Sequence, residues 1–211
     1  MKTDDLISLL VRDDTIPPAV SPRLVLAILL ALALVAGLLV SLVGVRADLA
    51  RALADPVTRM KWLLPLALGL PALVAALRLS RPQTRGSPGL LFAALVAAAA
   101  MLWLVLAIKA TPAGMVWPRI KGTSAMMCFF AIMLVSALPL AAGLRVLGGG
   151  ASPAPMLSGA ALGLAVGSLA ATLYAFFCTQ DSPLFFLTWY GLAIAVVTLA
   201  GAVAGRGMLR W

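Results

Sequence analysis

Six long apolar runs, separated by short polar segments, dominate the hydrophobic and polar pattern of the chain. Each run is close to the roughly 20 residues that an α-helix needs to cross a lipid bilayer. None alternates apolar and polar positions with a period of two, as barrel strands do, and lipid cannot satisfy free backbone groups. The pattern therefore predicts an all-α polytopic membrane protein with six transmembrane helices. The runs cover residues 24–45, 62–79, 90–108, 125–147, 156–177 and 183–205.

The polar segments between the runs carry residues that end helices. RADLARALADPVTRMK (46–61) contains an Asp-Pro turn signal, and SRPQTRGSPG (80–89) is rich in Pro, Gly and Ser. KATPAGMVWPRIKG (109–122) contains two prolines, and GGGASPAP (148–155) reads as a flexible connector. The first run exceeds the core of a cleavable signal peptide, which is usually about 7–15 residues. It is therefore predicted to be a true span.

The composition agrees with a chain that lies mostly in lipid. Of its 211 residues, 63% are apolar and 11% are charged, and its mean hydropathy is +1.09. The absence of His and Glu excludes imidazole catalysis, Ser-His-Asp triads and His-rich metal sites. No Asp lies within a run, and Lys and Arg occur only near run ends. Transporters usually place ionisable groups at membrane depth, so the sequence disfavours a substrate-coupled transporter and predicts neither enzymatic activity nor a cofactor.

The distribution of positive charge favours a cytoplasmic N-terminus. In that orientation nine Lys and Arg side chains lie on the cytoplasmic side and seven on the opposite side, as the positive-inside rule prefers. The cytoplasmic set is Lys2, Arg12, Arg23, Arg78, Arg81, Arg85, Arg145, Arg206 and Arg210, and the opposite set is Arg46, Arg51, Arg59, Lys61, Lys109, Arg119 and Lys121. Six spans return the chain to its starting side. We therefore predict a multi-pass protein of a bacterial inner membrane with cytoplasmic N- and C-termini.

Two isolated cysteines are the candidate reactive groups. Cys128 lies near the start of the fourth run and Cys178 directly after the fifth. These positions face the same side of the membrane in either orientation, and with a cytoplasmic N-terminus that side is the oxidising periplasm. The Cys-x-x-Cys pair typical of disulfide-generating enzymes is absent. Each cysteine is either a small buried hydrophobe or part of a thiol sensor, and a sensing pair would form a disulfide or share a soft metal ion.

The last hairpin, around FFCTQDSPLFFLTWYGLAI (176–194), is dense in aromatic residues, and residues 174–190 hold seven of the fourteen in the chain. Aromatic side chains near the end of a span are ordinarily interface anchors. Ser182 and Pro183 fit the N-cap and first position of the final helix, and Asp181 fits the turn before it. Asp181 is also a candidate sensor neighbour, which would tune the Cys178 thiol or act as a hard ligand.

The first 22 residues, MKTDDLISLLVRDDTIPPAVSP, have the pattern of a binding element. Thr3 is a candidate N-cap, and Asp4 and Asp5 fall in the first turn, where carboxylates complement the helix dipole. Pro17 and Pro18 end the predicted helix. The apolar face of this helix is formed by Leu6, Ile7, Leu9, Leu10 and Val11.

The charge of this N-terminal segment opposes that of the remaining chain. Lys2 and Arg12 against four Asp give residues 1–14 a net charge of −2, and the rest of the chain carries +11. Anionic lipid attracts basic helices and repels acidic ones, which favours docking to a basic protein partner over an inert surface helix. The sequence thus predicts a short cytoplasmic amphipathic binding segment at 1–22 and a transmembrane domain at 23–211.

These features together resemble the NrsF-type membrane anti-sigma factors, six-span negative regulators of sigma-F. The resemblance lies in the opening MKTDDLI, the six-span layout, the cysteine at the head of the fourth span and C…DSPLFFLTWYGLAI across the last hairpin. It implies a protein that holds an extracytoplasmic-function (ECF) sigma factor at the inner membrane and releases it on stress. The implied partners are that sigma factor and the lipid bilayer, without direct binding of nucleic acid.

The resemblance also implies two sets of functional residues. The sensor thiols would be Cys128 and Cys178, facing the periplasm. Some members carry a histidine directly before the second cysteine, where this chain has Phe177, and this difference favours thiol chemistry over a mixed Cys/His metal site. The sigma-contacting set would be Lys2, Thr3, Asp4, Asp5, Leu6 and Ile7, extended along the same helix by Leu9 and Leu10. As an alternative function, the residues leave open a small transporter or channel subunit for a neutral or apolar solute.

Overall fold

The structure, a computed structural model, describes residues 20–81, 87–150 and 152–209. Within these ranges every regular element is an α-helix, and six helices are long and apolar enough to cross a membrane. The predicted all-α class and the six spans are thereby confirmed. In chain order the helices are α1 (Val20–Leu42), α2 (Leu49–Ala54), α3 (Pro56–Leu79), α4 (Pro88–Ala110), α5 (Ala113–Lys121), α6 (Ala125–Leu147), α7 (Pro155–Tyr174) and α8 (Pro183–Met208).

The predicted N-terminal amphipathic helix falls in residues 1–19, which lie outside the described part of the chain. Its candidate sigma-contacting side chains therefore stay a sequence prediction. α1 begins at Val20, earlier than the predicted start of the first run at residue 24. The first span therefore includes residues 20–22, the last three residues of the predicted binding segment.

The second span starts earlier than its apolar run. Asp55 caps α3, because its carboxylate accepts a hydrogen bond from the Thr58 N–H at 2.6 Å, and Pro56 supplies a preset φ at the first helical position. The helix therefore begins at Pro56 instead of residue 62. As a result Lys61, predicted in a polar connector, belongs to the second turn of a membrane-spanning helix.

The last helix begins where the sequence predicts. Pro183 is its first residue and Ser182 occupies the N-cap position. The Ser182 side chain makes no capping hydrogen bond, however. Its backbone carbonyl instead accepts the N–H groups of Phe185 and Phe186 at 3.0 and 3.1 Å.

α7 is the central helix of the bundle. It packs against α8, α3 and α6, most extensively against α8. Gly159 and Gly163 of α7 face Gly201 and Gly205 of α8, and a Cβ added at Gly163 would lie 2.5 Å from the Val197 carbonyl oxygen. Such an approach of two helix backbones requires glycine. α7 and α8 thus form a closely packed pair that holds the last hairpin in place.

α4 lies at the periphery of the bundle. Of its residues only Ala93 is buried, and its other side chains point largely outward, as expected of a helix that faces lipid. A groove of about 730 Å³ between α3, α4 and α8 is lined almost entirely by apolar side chains. Its polar lining residues are Thr188 and Thr198, and the Thr198 hydroxyl donates to the Ile194 carbonyl at 2.8 Å.

Three connectors meet at one end of the bundle. They comprise residues 43–55, 111–124 and 175–182. The Arg46 N–H donates to the Phe176 carbonyl at 3.0 Å, which joins the first connector to the third. The Gln180 side chain donates to Thr123 Oγ1 at 2.7 Å, which joins the third to the second. In the predicted orientation this end faces the periplasm.

Candidate functional site

The two cysteines lie side by side at this end of the bundle. Cys128 is in the first turn of α6, and Cys178 is in the turn that follows α7. Their Sγ atoms are 3.5 Å apart, and both thiols are free and buried, with exposures of 1% and 4%. A disulfide S–S bond measures about 2.0 Å. The two thiols, predicted to lie on the same side of the membrane, are therefore close enough to form a disulfide after a small movement.

Tyrosine and serine hydroxyl groups surround the sulfur atoms. The Tyr174 hydroxyl donates to Cys128 Sγ at 3.6 Å, and Ser124 Oγ lies 3.5 Å from the same sulfur. The ring of Tyr190 packs against that of Tyr174 at a centroid distance of 6.3 Å. The buried Tyr190 hydroxyl lies beside Cys178. Hydroxyl groups therefore lie next to both sulfur atoms.

Lys61 is a fully buried cation beside Cys178. Its side chain is 0% exposed, and its ammonium group donates to the carbonyls of Cys178 and Gln180 at 2.6 and 2.9 Å. Its third contact is Asp181 Oδ1 at 3.2 Å. The sequence places Lys61 in a polar connector, and the structure instead buries it near the start of α3. The charge is tolerated there because every N–H of the ammonium has an acceptor and a carboxylate lies opposite.

Arg46 holds the same turn from the α1 side. Its guanidinium donates to both oxygens of Asp181 at 2.7 and 2.6 Å and to both oxygens of Asp48 at 2.8 and 2.9 Å. A further hydrogen bond reaches the Cys178 carbonyl at 3.0 Å. The Cys178 carbonyl therefore accepts from two buried cations, which fixes the turn to α3 and to the connector after α1.

These ion pairs shift the pKa values of their members. Hydrogen bonds to Asp181 and Asp48 raise the pKa of Arg46 above its ordinary value. The hydrogen bond from Arg46 lowers the pKa of Asp48 to about 2. The pairing stabilises the fold above the ordinary pKa of Asp48, and this contribution is lost only as pH falls toward 2. It is present throughout the range in which thiols titrate.

The surroundings of Cys178 favour its thiolate form. The hydrogen bond with Cys128 lowers the pKa of Cys178, burial opposes that shift, and the positive charge of Lys61 lowers the pKa further. The net direction is downward. Either sulfur could donate the hydrogen bond between them, and the buried cation Lys61 lies on the Cys178 side.

Asp181, the predicted sensor neighbour, contacts the cations of the site through its side chain. Its two carboxylate oxygens are bound by Arg46 and Lys61, so its influence on Cys178 passes through them. In the described ranges no group of three or more His, Cys, Asp or Glu side chains is arranged to hold a metal ion. The donors available to a soft metal here are the two thiols.

The aromatic residues of the last hairpin are mostly core residues. The prediction that they anchor the membrane interface is wrong for four of them, because the hairpin folds them inward between α6, α7 and α8. Trp189 is half-buried and donates its Nε1–H to the Ile120 carbonyl at 2.7 Å, which joins α8 to α5. The four buried residues are Tyr174, Phe185, Phe186 and Tyr190.

The connector between α5 and α6 closes the site from the side. Gly122 adopts a φ of +51°, a conformation that L-residues rarely take, and a Cβ there would lie 2.7 Å from the Phe185 ring. Next to it, Thr123 accepts the hydrogen bond from Gln180. The thiol pair is therefore enclosed by all three connectors.

The fold and the site define a multi-pass helical membrane protein with a buried thiol pair, braced by ion pairs, at one end of its bundle. The chain belongs to the NrsF family of negative regulators of sigma F, whose family model matches residues 10–211. It is a transmembrane anti-sigma factor of that family, as its sequence resemblance implies. The competing interpretation as a transporter or channel subunit is thereby set aside.

Two relatives share the full length of the chain. The anti-sigma-F factor NrsF of Caulobacter vibrioides is 35% identical over 214 residues, with 100% of both chains covered. The probable anti-sigma-F factor NrsF of Azospira oryzae is 33% identical over 225 residues, again with 100% of both covered. No solved structure matches the chain significantly.

Proposed function

We propose that this protein sequesters an ECF sigma factor at the bacterial inner membrane and releases it when its thiol pair is oxidised. The observation that carries the proposal is the 3.5 Å distance between the Sγ atoms of Cys128 and Cys178. Membership of a family of anti-sigma factors supports a sigma factor as the partner. The regulation needs binding and release alone, without chemical turnover of a substrate.

Disulfide formation is the sensing reaction. A two-electron oxidant takes two electrons from the sulfur pair, two protons leave, and an S–S bond of about 2.0 Å forms. The sulfurs must approach one another, so the Cys178 turn and α6 move together. Soft-metal binding is the alternative that the sequence leaves open. The disulfide is the simpler proposal, because the two thiols suffice for it and Asp181 is occupied by cations.

α1 is the route by which this movement reaches the predicted sigma-binding segment. Its far end continues into residues 1–19, and its near end leads to Arg46, which binds the Cys178 carbonyl. α1 also packs mainly on α6, the helix that carries Cys128. A movement of either cysteine therefore acts on α1. Two alternative packings of α1 against α6 would link the thiols to the cytoplasmic segment.

The N-terminal segment 1–22 is the proposed sigma-binding element. A sigma factor binds DNA and RNA polymerase and so exposes basic and apolar surfaces. An acidic helix with an apolar face complements such a surface and occludes it. The proposed contacts are Lys2, Thr3, Asp4, Asp5, Leu6, Ile7, Leu9 and Leu10.

Co-purification tests the proposed partner and its release. The tagged full-length protein, solubilised from membranes under reducing conditions, should retain a sigma factor. Treatment with diamide, a two-electron thiol oxidant, should release most of it, and subsequent dithiothreitol should restore binding. Retention of the sigma factor after complete disulfide formation, verified by mass spectrometry, would contradict thiol-controlled release.

The proposed location requires the three connectors of the thiol site to face the periplasm. Alkaline phosphatase is active only after export, so fusions after residues 52 and 115 should be active. Fusions after residues 85 and 150 should be inactive and fluoresce instead when a green fluorescent protein replaces the phosphatase. The opposite pattern would put the thiols in the reducing cytoplasm and remove the basis for a disulfide sensor.

A further inference from the structure

Lys61 is the buried charged group whose role the release mechanism leaves open. It lies in the second turn of α3, beneath the turn that carries Cys178. Arg46 already binds both oxygens of Asp181 and the Cys178 carbonyl. Burial of a charged group costs free energy even when it is paired. Lys61 therefore ties the turn to α3 and also adds a second buried positive charge beside Cys178.

The charges of the cluster beside Cys178 cancel in number, but its two cations are fully buried and its two carboxylates are partly exposed. Arg46 and Lys61 share the carboxylate of Asp181. The other carboxylate of the cluster, Asp48, lies at its exposed rim, with 46% of its side chain accessible, and binds Arg46. A negative charge on Cys178 Sγ would lie beside these buried cations, both of which bind the Cys178 carbonyl. Cations next to a cysteine stabilise its thiolate, which is the nucleophilic form.

Cys128 has different surroundings. It is enclosed by apolar side chains and by the hydroxyl groups of Ser124 and Tyr174. These hydroxyls are neutral, so they supply no charge to stabilise an anion there. The charged and titratable groups that face the thiol pair are Lys61 from α3, Arg46 and Asp48 from the connector after α1, Tyr174 from α7, Asp181 from the turn of Cys178 and Tyr190 from α8.

We propose that Lys61 is a positioning residue that makes Cys178 the attacking thiolate of the pair and leaves Cys128 to close the disulfide. This assignment rests on the thiol oxidation proposed above and gives it an order. Lys61 acts through its charge and through its 2.6 Å hydrogen bond to the Cys178 carbonyl, which holds the two sulfurs 3.5 Å apart.

With a hydroperoxide as oxidant, the order is as follows. The Cys178 thiolate attacks the outer peroxide oxygen, the O–O bond breaks, and an alkoxide leaves and takes a proton from water. Cys178 is then a sulfenic acid, with the Tyr190 hydroxyl beside it. The Cys128 sulfur attacks the Cys178 sulfur, the S–S bond forms, and the sulfenic hydroxyl leaves as water with the Cys128 proton. Two electrons pass from the sulfur pair to the peroxide.

Alkylation by iodoacetamide measures the order directly in membranes that contain the full-length reduced protein. Peptide mass spectrometry gives the initial rate at each cysteine over a range of pH. At about pH 6 an ordinary thiol is below about 1% thiolate, so Cys178 should react at least about tenfold faster than Cys128. As pH rises, the rate at Cys178 should also reach its plateau at a lower pH than the rate at Cys128. Equal midpoints for the two cysteines, or a lower midpoint for Cys128, overturn the proposal without any variant.

Substitution of Lys61 isolates its contribution. In Lys61→Met the midpoint for Cys178 should rise by about one pH unit, and its rate well below the wild-type midpoint should fall about tenfold, because one pKa unit changes the thiolate fraction there by that factor. Lys61→Arg keeps the charge and should retain most of the wild-type rate. Lys121→Met, an exposed lysine of α5 at the same end, should change nothing. An unchanged midpoint in Lys61→Met overturns the role of Lys61.

The alkylation experiments and the sigma-factor release experiment can fail independently of one another. Loss of the alkylation order with intact oxidant-dependent release of the sigma factor removes only the assignment of the two thiols. An intact alkylation order in a protein whose release ignores both cysteines removes the sensing role and retains the positioning role of Lys61.

Discussion

Replacement of Cys128 or Cys178 by serine should leave the sigma factor bound and abolish its release by oxidant. Serine preserves the volume and one hydrogen bond at either position, so the reduced packing of the site should survive. A disulfide needs both sulfurs, and removal of either one removes the bond completely. The measurement is the fraction of sigma factor that co-purifies from cells before and after diamide treatment, together with transcription from a sigma-dependent promoter.

The double variant should behave like either single variant. Two groups that act as one unit give non-additive effects, whereas two independently modified thiols would each lose part of the response. Thr172→Ser is a matched control, because this buried residue of α7 lies near the site and its hydroxyl donates to the Ser168 carbonyl. It should respond like the wild type. Release that persists at full amplitude in both single variants would show that the thiols are packing residues.

The fold follows from the sequence because lipid imposes strong constraints on a spanning chain. Helices are the only open-chain elements that satisfy their backbone in hydrocarbon, so run length alone fixes the number of spans. The ends of the helices depend instead on local capping. The start of α3 is decided by Asp55 and Pro56, whose capping outweighs the polar character of the residues that follow.

The approach of the two thiols is also contained in the topology. The chain crosses the membrane an odd number of times before the start of α6 and before the turn after α7. Both points therefore lie on the side opposite to the one on which α1 begins. Consecutive antiparallel spans usually pack together, as α6 and α7 do. Parity and adjacency together bring Cys128 to the same rim as Cys178. The distance between the sulfurs depends on side-chain packing and required the structure.

The cations of the site escaped prediction because a local pattern cannot show long-range pairing. Arg46 and Lys61 stand in a polar run and resemble ordinary connector charges. Their partner Asp181 lies far along the chain, at separations of 135 and 120 residues. One signal was present: parity puts residues 43–61 on the same side as Asp181, the acidic residue of the last hairpin. Combined with the cost of an unpaired buried charge, that placement favours an ion pair.

Removal of the acidic and apolar contacts of the N-terminal segment should release the sigma factor without any oxidant. In Asp4→Ala/Asp5→Ala/Leu6→Ala/Leu10→Ala the helix keeps its propensity and loses both features that suit a basic, grooved partner. Central interface side chains cost about 2 kcal/mol or more on truncation. The affinity should therefore fall by at least about a hundredfold, with constitutive transcription from the sigma-dependent promoter.

Three narrower variants separate the causes of that loss. Asp4→Ala/Asp5→Ala should weaken binding mainly at low salt, because exposed charges act chiefly on association and are screened by ions. Leu6→Ala/Leu10→Ala should weaken it at all salt concentrations. Asp13→Ala/Asp14→Ala removes the same charge outside the proposed contact residues and is the matched control. All variants should insert into the membrane as the wild type does, since α1 begins at Val20. A quadruple variant that still retains the sigma factor would move the binding surface to the cytoplasmic connectors.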